Sequence, residues 1–182
     1  MYSIRKTEMS DITTVMHLIE LARTTISILG IDQWQNNYPA QTDIENDIAN
    51  GESYVVIDEE QIIGTFAMTV RPDPSYGEIE GAWKNDGEPY LSLHRLTLAP
   101  DHRRTYSNPK QRHSATAFLL DYVKQYAASC GISGGIRSDT HEGNIPMRKM
   151  LEGNGFEYCG VIHLNVDNSE RGKARVAYQY VD

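Results

Sequence analysis

Cysteine is nearly missing. Cys130 and Cys159 are the only two among 182 residues and stand in no metal-ligand spacing, which argues against a disulfide framework and against a zinc site. Two reduced thiols suit a cytoplasmic setting. Long apolar runs are missing as well: nothing approaches the roughly 18 residues that read as a membrane span. The opening Met1 to Lys6 passes straight into an alternating pattern with no signal-peptide core, so neither membrane attachment nor secretion is expected. Basic residues are in short supply. Lys and Arg total 17 against 25 Asp and Glu, a net charge of -8, the opposite of what a nucleic-acid binder carries. Familiar catalytic devices are also lacking: no G-x-S-x-G elbow, no G-x-x-x-x-G-K-[ST] loop, no G-x-G-x-x-G after a strand and no H-E-x-x-H. Hydrolase, nucleotide kinase, dinucleotide enzyme and zinc protease all lose ground, and the metal expectation is none.

What is present reads as one α/β domain spanning 1–182, with 40 % hydrophobic and 23 % charged residues. Tyr2 to Lys6 predicts a strand. Val15, Met16, Ile19, Ala22 and Ile26 recur at helical spacing from Ile12 to a stop at Gly30. A second helix is expected from Thr42, where Thr42 and Glu45 have capping-box spacing, to Asn50–Gly51. Tyr54 to Ile57 and Ile62 to Val70 suggest a hairpin across the acidic turn at 58–61. Residues 71–89, rich in Pro, Gly and acids, read as a long loop. After the strand Tyr90 to Leu98 comes a helix with Ala115, Phe118, Leu119, Tyr122, Val123 and Tyr126 on one stripe. A strand at Ile132 to Arg137, a helix at Asn144 to Gly153, and a strand pair at Phe156 to Val166 and Ala174 to Val181 complete the order β-α-α-β-β-β-α-β-α-β-β.

Two patterns in this order bear on chemistry. Leu91 and Leu93 share one face of their strand, yet Leu96 and Leu98 fall on the other. A β-bulge near His94–Arg95 would explain the slip; a strand buried on both faces would also do so. The second pattern is charge. Arg103, Arg104, Lys110 and Arg112 against Asp101 make a +3 cluster before the helix, leaving -11 for the other residues. Asn108–Pro109 marks a helix start there, so Arg112 falls near a helix N-terminus, where a cation is disfavoured unless an anion such as a phosphate sits beside it. A solvated basic loop is the alternative. Residues 41–90 hold 12 acids and only Arg71 and Lys84 as bases. That face either steers a cationic acceptor or is simply solvated.

These residues resemble the GNAT N-acetyltransferase superfamily over nearly the whole chain. Leu96-Thr97-Leu98-Ala99-Pro100 is similar to the strand end of its phosphate-loop motif, and Phe118-Leu119-Leu120 to the helix after it. Asp139 to Met147 with Gly153-Asn154-Gly155-Phe156 is similar to the family's N-x-x-M/A…G-F segment, and Ile28 to Gln35 resembles the N-terminal helical segment of some bacterial members. The resemblance implies an acyl-CoA N-acyltransferase fold, a mostly antiparallel twisted sheet splayed at a bulged central strand. It also implies acetyl-CoA as co-substrate and direct transfer of acetyl to an amine of a small molecule or peptide.

Carried over residue by residue, the cofactor side takes Leu96, Thr97 and Leu98 on the strand, Arg103, Arg104, Gln111, Arg112, His113, Ser114, Ala115 and Thr116 at the loop and helix entry, and Asn144 and Met147 downstream. The loop departs from the family in being longer, with Ser114 and Thr116 at glycine positions. The helix position where many members place a tyrosine holds Leu151. His94 is the candidate general base, or else a packed histidine. Asn144 is a cofactor contact or only a helix cap. Trp34 and Tyr38 line an acceptor pocket or serve as core or lid. A homodimer stays open. Two other readings remain beside the enzyme: a member that binds CoA or another anion without turnover, and a protein-interaction module using the acidic 41–90 face.

Overall fold

A computed structural model describes residues 1–102 and 114–182. Strand β1 (Tyr2–Lys6) runs antiparallel to β2 (Ser53–Asp58), which returns as β3 (Gln61–Thr69). The hairpin turn is Glu59–Glu60, with φ of 45° and 73°, the left-handed pair whose twist matches the flanking strands. Between β1 and β2 lie α1 (Ile12–Ile28) and α2 (Gln41–Ala49). Helix α2 starts earlier than the Thr42 signal implied. Ala40 is the cap, and its amide donates to Asp43 Oδ2 at 2.6 Å, so the acid at the third helical position sets the entry and Thr42 lies inside the helix.

The 71–89 segment is more than a loop. It forms a 3-10 turn at Pro74–Tyr76 and a two-residue strand, β4 (Glu80–Gly81). Then follow β5 (Leu91–Leu98), α3 (Ala115–Ser129), β6 (Ile136–Thr140), α4 (Ile145–Gly153), β7 (Glu157–His163) and β8 (Ala174–Tyr180). Strand β6 lies later than the expected 132–137. Gly131, at φ 66°, ends α3, and the Ile132 amide donates back to the Ala127 carbonyl at 3.0 Å. Ile132 is thus the apolar partner of a helix C-cap and not a strand residue.

The eight strands form one sheet in the order β1-β2-β3-β5-β6-β8-β7-β4, with β5–β6 the parallel pair and the other neighbours antiparallel. Adjacent residues of a strand face opposite ways, and β2 shows which helices cover which side. Val55 packs with Val15, Ile19 and Ile44 of α1 and α2. Val56 packs with Leu119, Leu120 and Leu151 of α3 and α4. On the far half of the sheet, the 71–89 segment covers the α1 side, bringing Tyr76 against Ile162 and Ala177.

Candidate active site

Between Thr65, opposite Thr97, and Ala67, opposite His94, β3 advances two residues and β5 three. This is the bulge that the leucine phase slip implied, and Arg95 takes up the extra length at φ 53°. Its effect is direct: Leu91, Leu93, Leu96 and Leu98 all pack into the α3 and α4 core, while His94 is turned to the α1 side. The strand is also buried on both faces at its start, where Leu91 and Ser92 are fully covered.

Strand β5 meets β6 at only two pairs, Leu91 with Ile136 and Ser92 with Arg137. Ser138 Oγ donates to the Leu93 carbonyl at 2.9 Å, and beyond that bond the strands part. A cavity of about 340 Å³ occupies the wedge, with Ile26 on one side of the sheet and Thr116 and Met147 on the other.

On the α1 side of the wedge, two carboxylates flank His94. Its Nε2 lies 3.0 Å from Asp73 Oδ2 and its Nδ1 3.8 Å from Asp139 Oδ1. Asp73 is aimed by its own turn. The Ser75 amide donates to Asp73 Oδ1 at 2.8 Å, and the Asp73 amide donates to Tyr90 Oη at 2.8 Å. Tyr90 is in turn backed by the Arg137 guanidinium, 3.8 Å from its ring centroid and 4.3 Å from that of Trp83. Tyr76 Oη donates to Asp139 Oδ1 at 2.7 Å.

The two acids differ in character. Burial pushes the Asp139 carboxyl above the ordinary carboxylate range, with His94 and the Tyr76 hydroxyl pulling only partly back. Burial also acts on Asp73, but the hydrogen bond and charge of His94, with the Ser75 amide, outweigh it and hold that carboxyl below the usual range. The Tyr76 hydroxyl is driven well above its usual value by burial and by the neighbouring charges of Asp139 and Asp73.

The other expected site residues fall as follows. Leu96, Thr97 and Leu98 line the wedge, as do Thr116, Asn144 and Met147. Ala115 is buried in the core. Ser114 caps α3, its Oγ accepting from the Ala117 amide at 3.1 Å. Arg103, Arg104, Gln111, Arg112 and His113, with the Asn108–Pro109 helix signal, lie outside the described residues. Asn144 is the cap of α4, accepting from the Met147 amide at 3.3 Å, and its Nδ2 donates to Gln33 Oε1 at 2.9 Å. Trp34 and Tyr38 both line the cavity. The Tyr38 backbone carbonyl accepts from Arg23 Nε at 3.2 Å, and its ring centroid lies 5.7 Å from the Arg95 guanidinium. Leu151 is fully buried, so it presents nothing to the cavity. Among the described residues no group of His, Cys, Asp and Glu is arranged to hold a metal ion.

Sequence reasoning singled out His94 but not Asp73, Tyr76 and Asp139, which the structure brings beside it. Asp139 carried a readable signal, an acid inside a strand. Asp73-Pro74-Ser75 reads locally as a turn, and nothing in sequence ties it to a histidine on β5. Also missed were Gln33 and the buried pair Glu170 and Arg175, which line the same cavity.

A mixed sheet of this order, splayed at a bulged strand with helices on both faces, is the acyl-CoA N-acyltransferase fold. The chain is 32 % identical to a GNAT-family acetyltransferase from Streptococcus agalactiae, with 100 % of this chain and 95 % of that one covered and a TM-score of 0.81. A putative acetyltransferase from Staphylococcus aureus is 22 % identical over 98 % and 99 % of the two chains, with a TM-score of 0.67. The ribosomal-protein-S18-alanine N-acetyltransferase from Escherichia coli shares the fold at 11 % identity, over 100 % and 94 % of the chains, with a TM-score of 0.62. No family model matches the chain, and no curated protein matches it in sequence. The chain belongs to the GNAT family of acetyltransferases.

Proposed function

We propose that this protein moves the acetyl group of acetyl-CoA directly to an amine, with His94 as the base that takes the amine proton. The observation that carries the reading is the wedge between β5 and β6, with His94 held at the bulge by Asp73. A wedge of this kind suits a thin acyl-CoA arm. Leu96, Thr97 and Leu98 of β5 line the cavity, and Thr116 and Met147 frame it on the α3 and α4 side. At the start of α3, the amides of Ala115 and Thr116 have no partner within the helix, as in every first turn. They would receive the pyrophosphate, with Arg103, Arg104, Gln111, Arg112 and His113 as candidate further contacts. When bound, acetyl-CoA supplies an acyl thioester at the wedge.

The remaining work belongs to side chains of this protein. With His94 Nε2–H donated to Asp73, the lone pair falls on Nδ1. Nδ1 accepts the acceptor's proton, and the resulting imidazolium stands between the Asp73 and Asp139 carboxylates; as the amide C–N bond forms the thioester C–S bond breaks, and the thiolate would leave to take its proton from the imidazolium or from solvent. Leu151, buried where many family members have a tyrosine, leaves no proton donor at that position. That observation favours the second reading, a member that binds CoA without turnover. Two measurements test the pair. Calorimetric titration should show acetyl-CoA binding, and absence of binding at millimolar ligand rejects both readings. A free-thiol assay with an amine panel should show CoA release, which only an enzyme produces.

A further inference from the structure

We infer that the acceptor is a small amine with an apolar body and no acidic group, and that peptide ends are excluded; this rests on the N-acetyltransferase reading. Charge is the first argument. Two cations reach the cavity among the described residues, Arg95 and Arg175, and each already has a carboxylate. Arg95 Nη1 donates to Asp47 Oδ2 at 2.7 Å. Arg175 is paired with Glu170, both side chains being 3 % exposed or less. Lys173 bridges Glu170 and Asp32, each at 2.9 Å, so that cluster is neutral as a whole. Among the described residues, the cavity acids with no Lys or Arg at ion-pair distance are Asp73 and Asp139, which share one histidine. An ammonium is therefore drawn to this end of the wedge, while a carboxylate or phosphate on the acceptor would be buried against acids with no described cation to receive it.

Shape is the second argument. The lining of the cavity offers apolar side chains beside its polar ones: Ala22 and Ile26 from α1, Trp34 from the α1–α2 connection, Leu164 and Val166 after β7. The α1–α2 connection is also tied across the end of the wedge at three points. Asn144 Nδ2 donates to Gln33 Oε1 at 2.9 Å, Lys173 Nζ pairs with Asp32 at 2.9 Å, and Ser169 Oγ donates to the Asn36 carbonyl at 3.1 Å. The last two are surface contacts of small worth. The first involves Gln33 at 8 % exposure, and breaking it leaves buried amide groups unpaired. A peptide acceptor whose following residues, at up to about 3.6 Å each, ran outward past this end would have to part these ties.

Three probes that differ in one feature each test this: 2-phenylethylamine, phenylalanine, and a phenylalanine-initiated tripeptide amide. Each is titrated calorimetrically into the full chain, alone and with acetyl-CoA, with CoA release followed in parallel. The amine should bind at least about tenfold more tightly than phenylalanine, the tripeptide should show no binding, and CoA should be released with the amine alone. Asp73→Asn should weaken amine binding several-fold while leaving acetyl-CoA binding unchanged. Equal binding of phenylalanine or the tripeptide overturns the inference, and so does failure of the amine to bind when acetyl-CoA binds. Failure of acetyl-CoA to bind, with the amine still bound, instead overturns the N-acetyltransferase reading.

Discussion

His94 is one residue among six scattered histidines, and it differs from an ordinary packed histidine in having a carboxylate on each side. His94→Gln keeps a polar side chain but removes the ring nitrogen proposed above as the proton acceptor. It should lower kcat by roughly 100- to 10,000-fold with acetyl-CoA affinity unchanged, as read by steady-state kinetics beside calorimetry. Asp139 makes a separate prediction about stability. Its folded-state carboxyl is raised above the unfolded value, so its favourable contribution is complete below the unfolded pKa and is lost as pH rises through the raised one. Asp139→Asn retains an acceptor for the Tyr76 hydroxyl and removes that titration. Urea unfolding followed as pH rises from the ordinary carboxylate range should therefore show a shallower decline in the variant than in the parent protein.

At the scale of elements, β4 and β7 meet at Gly81 and Gly160, with φ of 142° and 145°. A Cβ on Gly160 would press on the Glu80 carbonyl, which flexible side-chain movement cannot relieve. Gly160→Val should cost about 2 kcal/mol or more, checked by denaturant unfolding, and should release β4 from the sheet. Neither glycine marks a strand pairing in sequence, and for that reason β4 was illegible: two residues carry no periodicity. The bulge in β5 was legible because four leucines on one core face reported the slip directly. Where a stripe was long, as in α1 and α3, the element was legible too. Boundaries failed where a single polar contact decided them, as with Asp43 at the start of α2, or where an apolar residue served a cap, as with Ile132. The candidate site was legible only where it lay on one strand. Asp73, His94 and Asp139 come from three segments far apart in sequence, and only the sheet order makes them neighbours.

For the whole molecule, the net charge of -8 makes acid titration a sensitive probe. Asp11 accepts from Arg5 at 2.6 Å and 3.0 Å, tying β1 to the entry of α1. That hydrogen-bonded pairing, with the Glu8 amide, holds the Asp11 carboxyl below its usual range against the opposing effect of burial. The stability it contributes is present above the unfolded carboxyl pKa and is lost as pH falls through the depressed folded value. With Arg5 partly exposed, the contribution is about 1 kcal/mol. Asp11→Asn should lose that amount near neutrality and converge with the parent protein only as pH falls below the depressed folded value, where the parent has lost it too, as read from unfolding midpoints.

The narrow joint between β5 and β6 has a mechanical consequence. Among the described residues, two backbone pairs and one serine bond join β1-β2-β3-β5 to β6-β8-β7-β4 within the sheet. The two halves still share one core beneath α3 and α4, where Leu91 and Leu93 pack with Ile136, Val176 and Tyr178, so the joint is open only at the wedge. A ligand there should slow amide hydrogen exchange along the borders of the wedge, adding contacts that carry load at the one place where the sheet has none to spare.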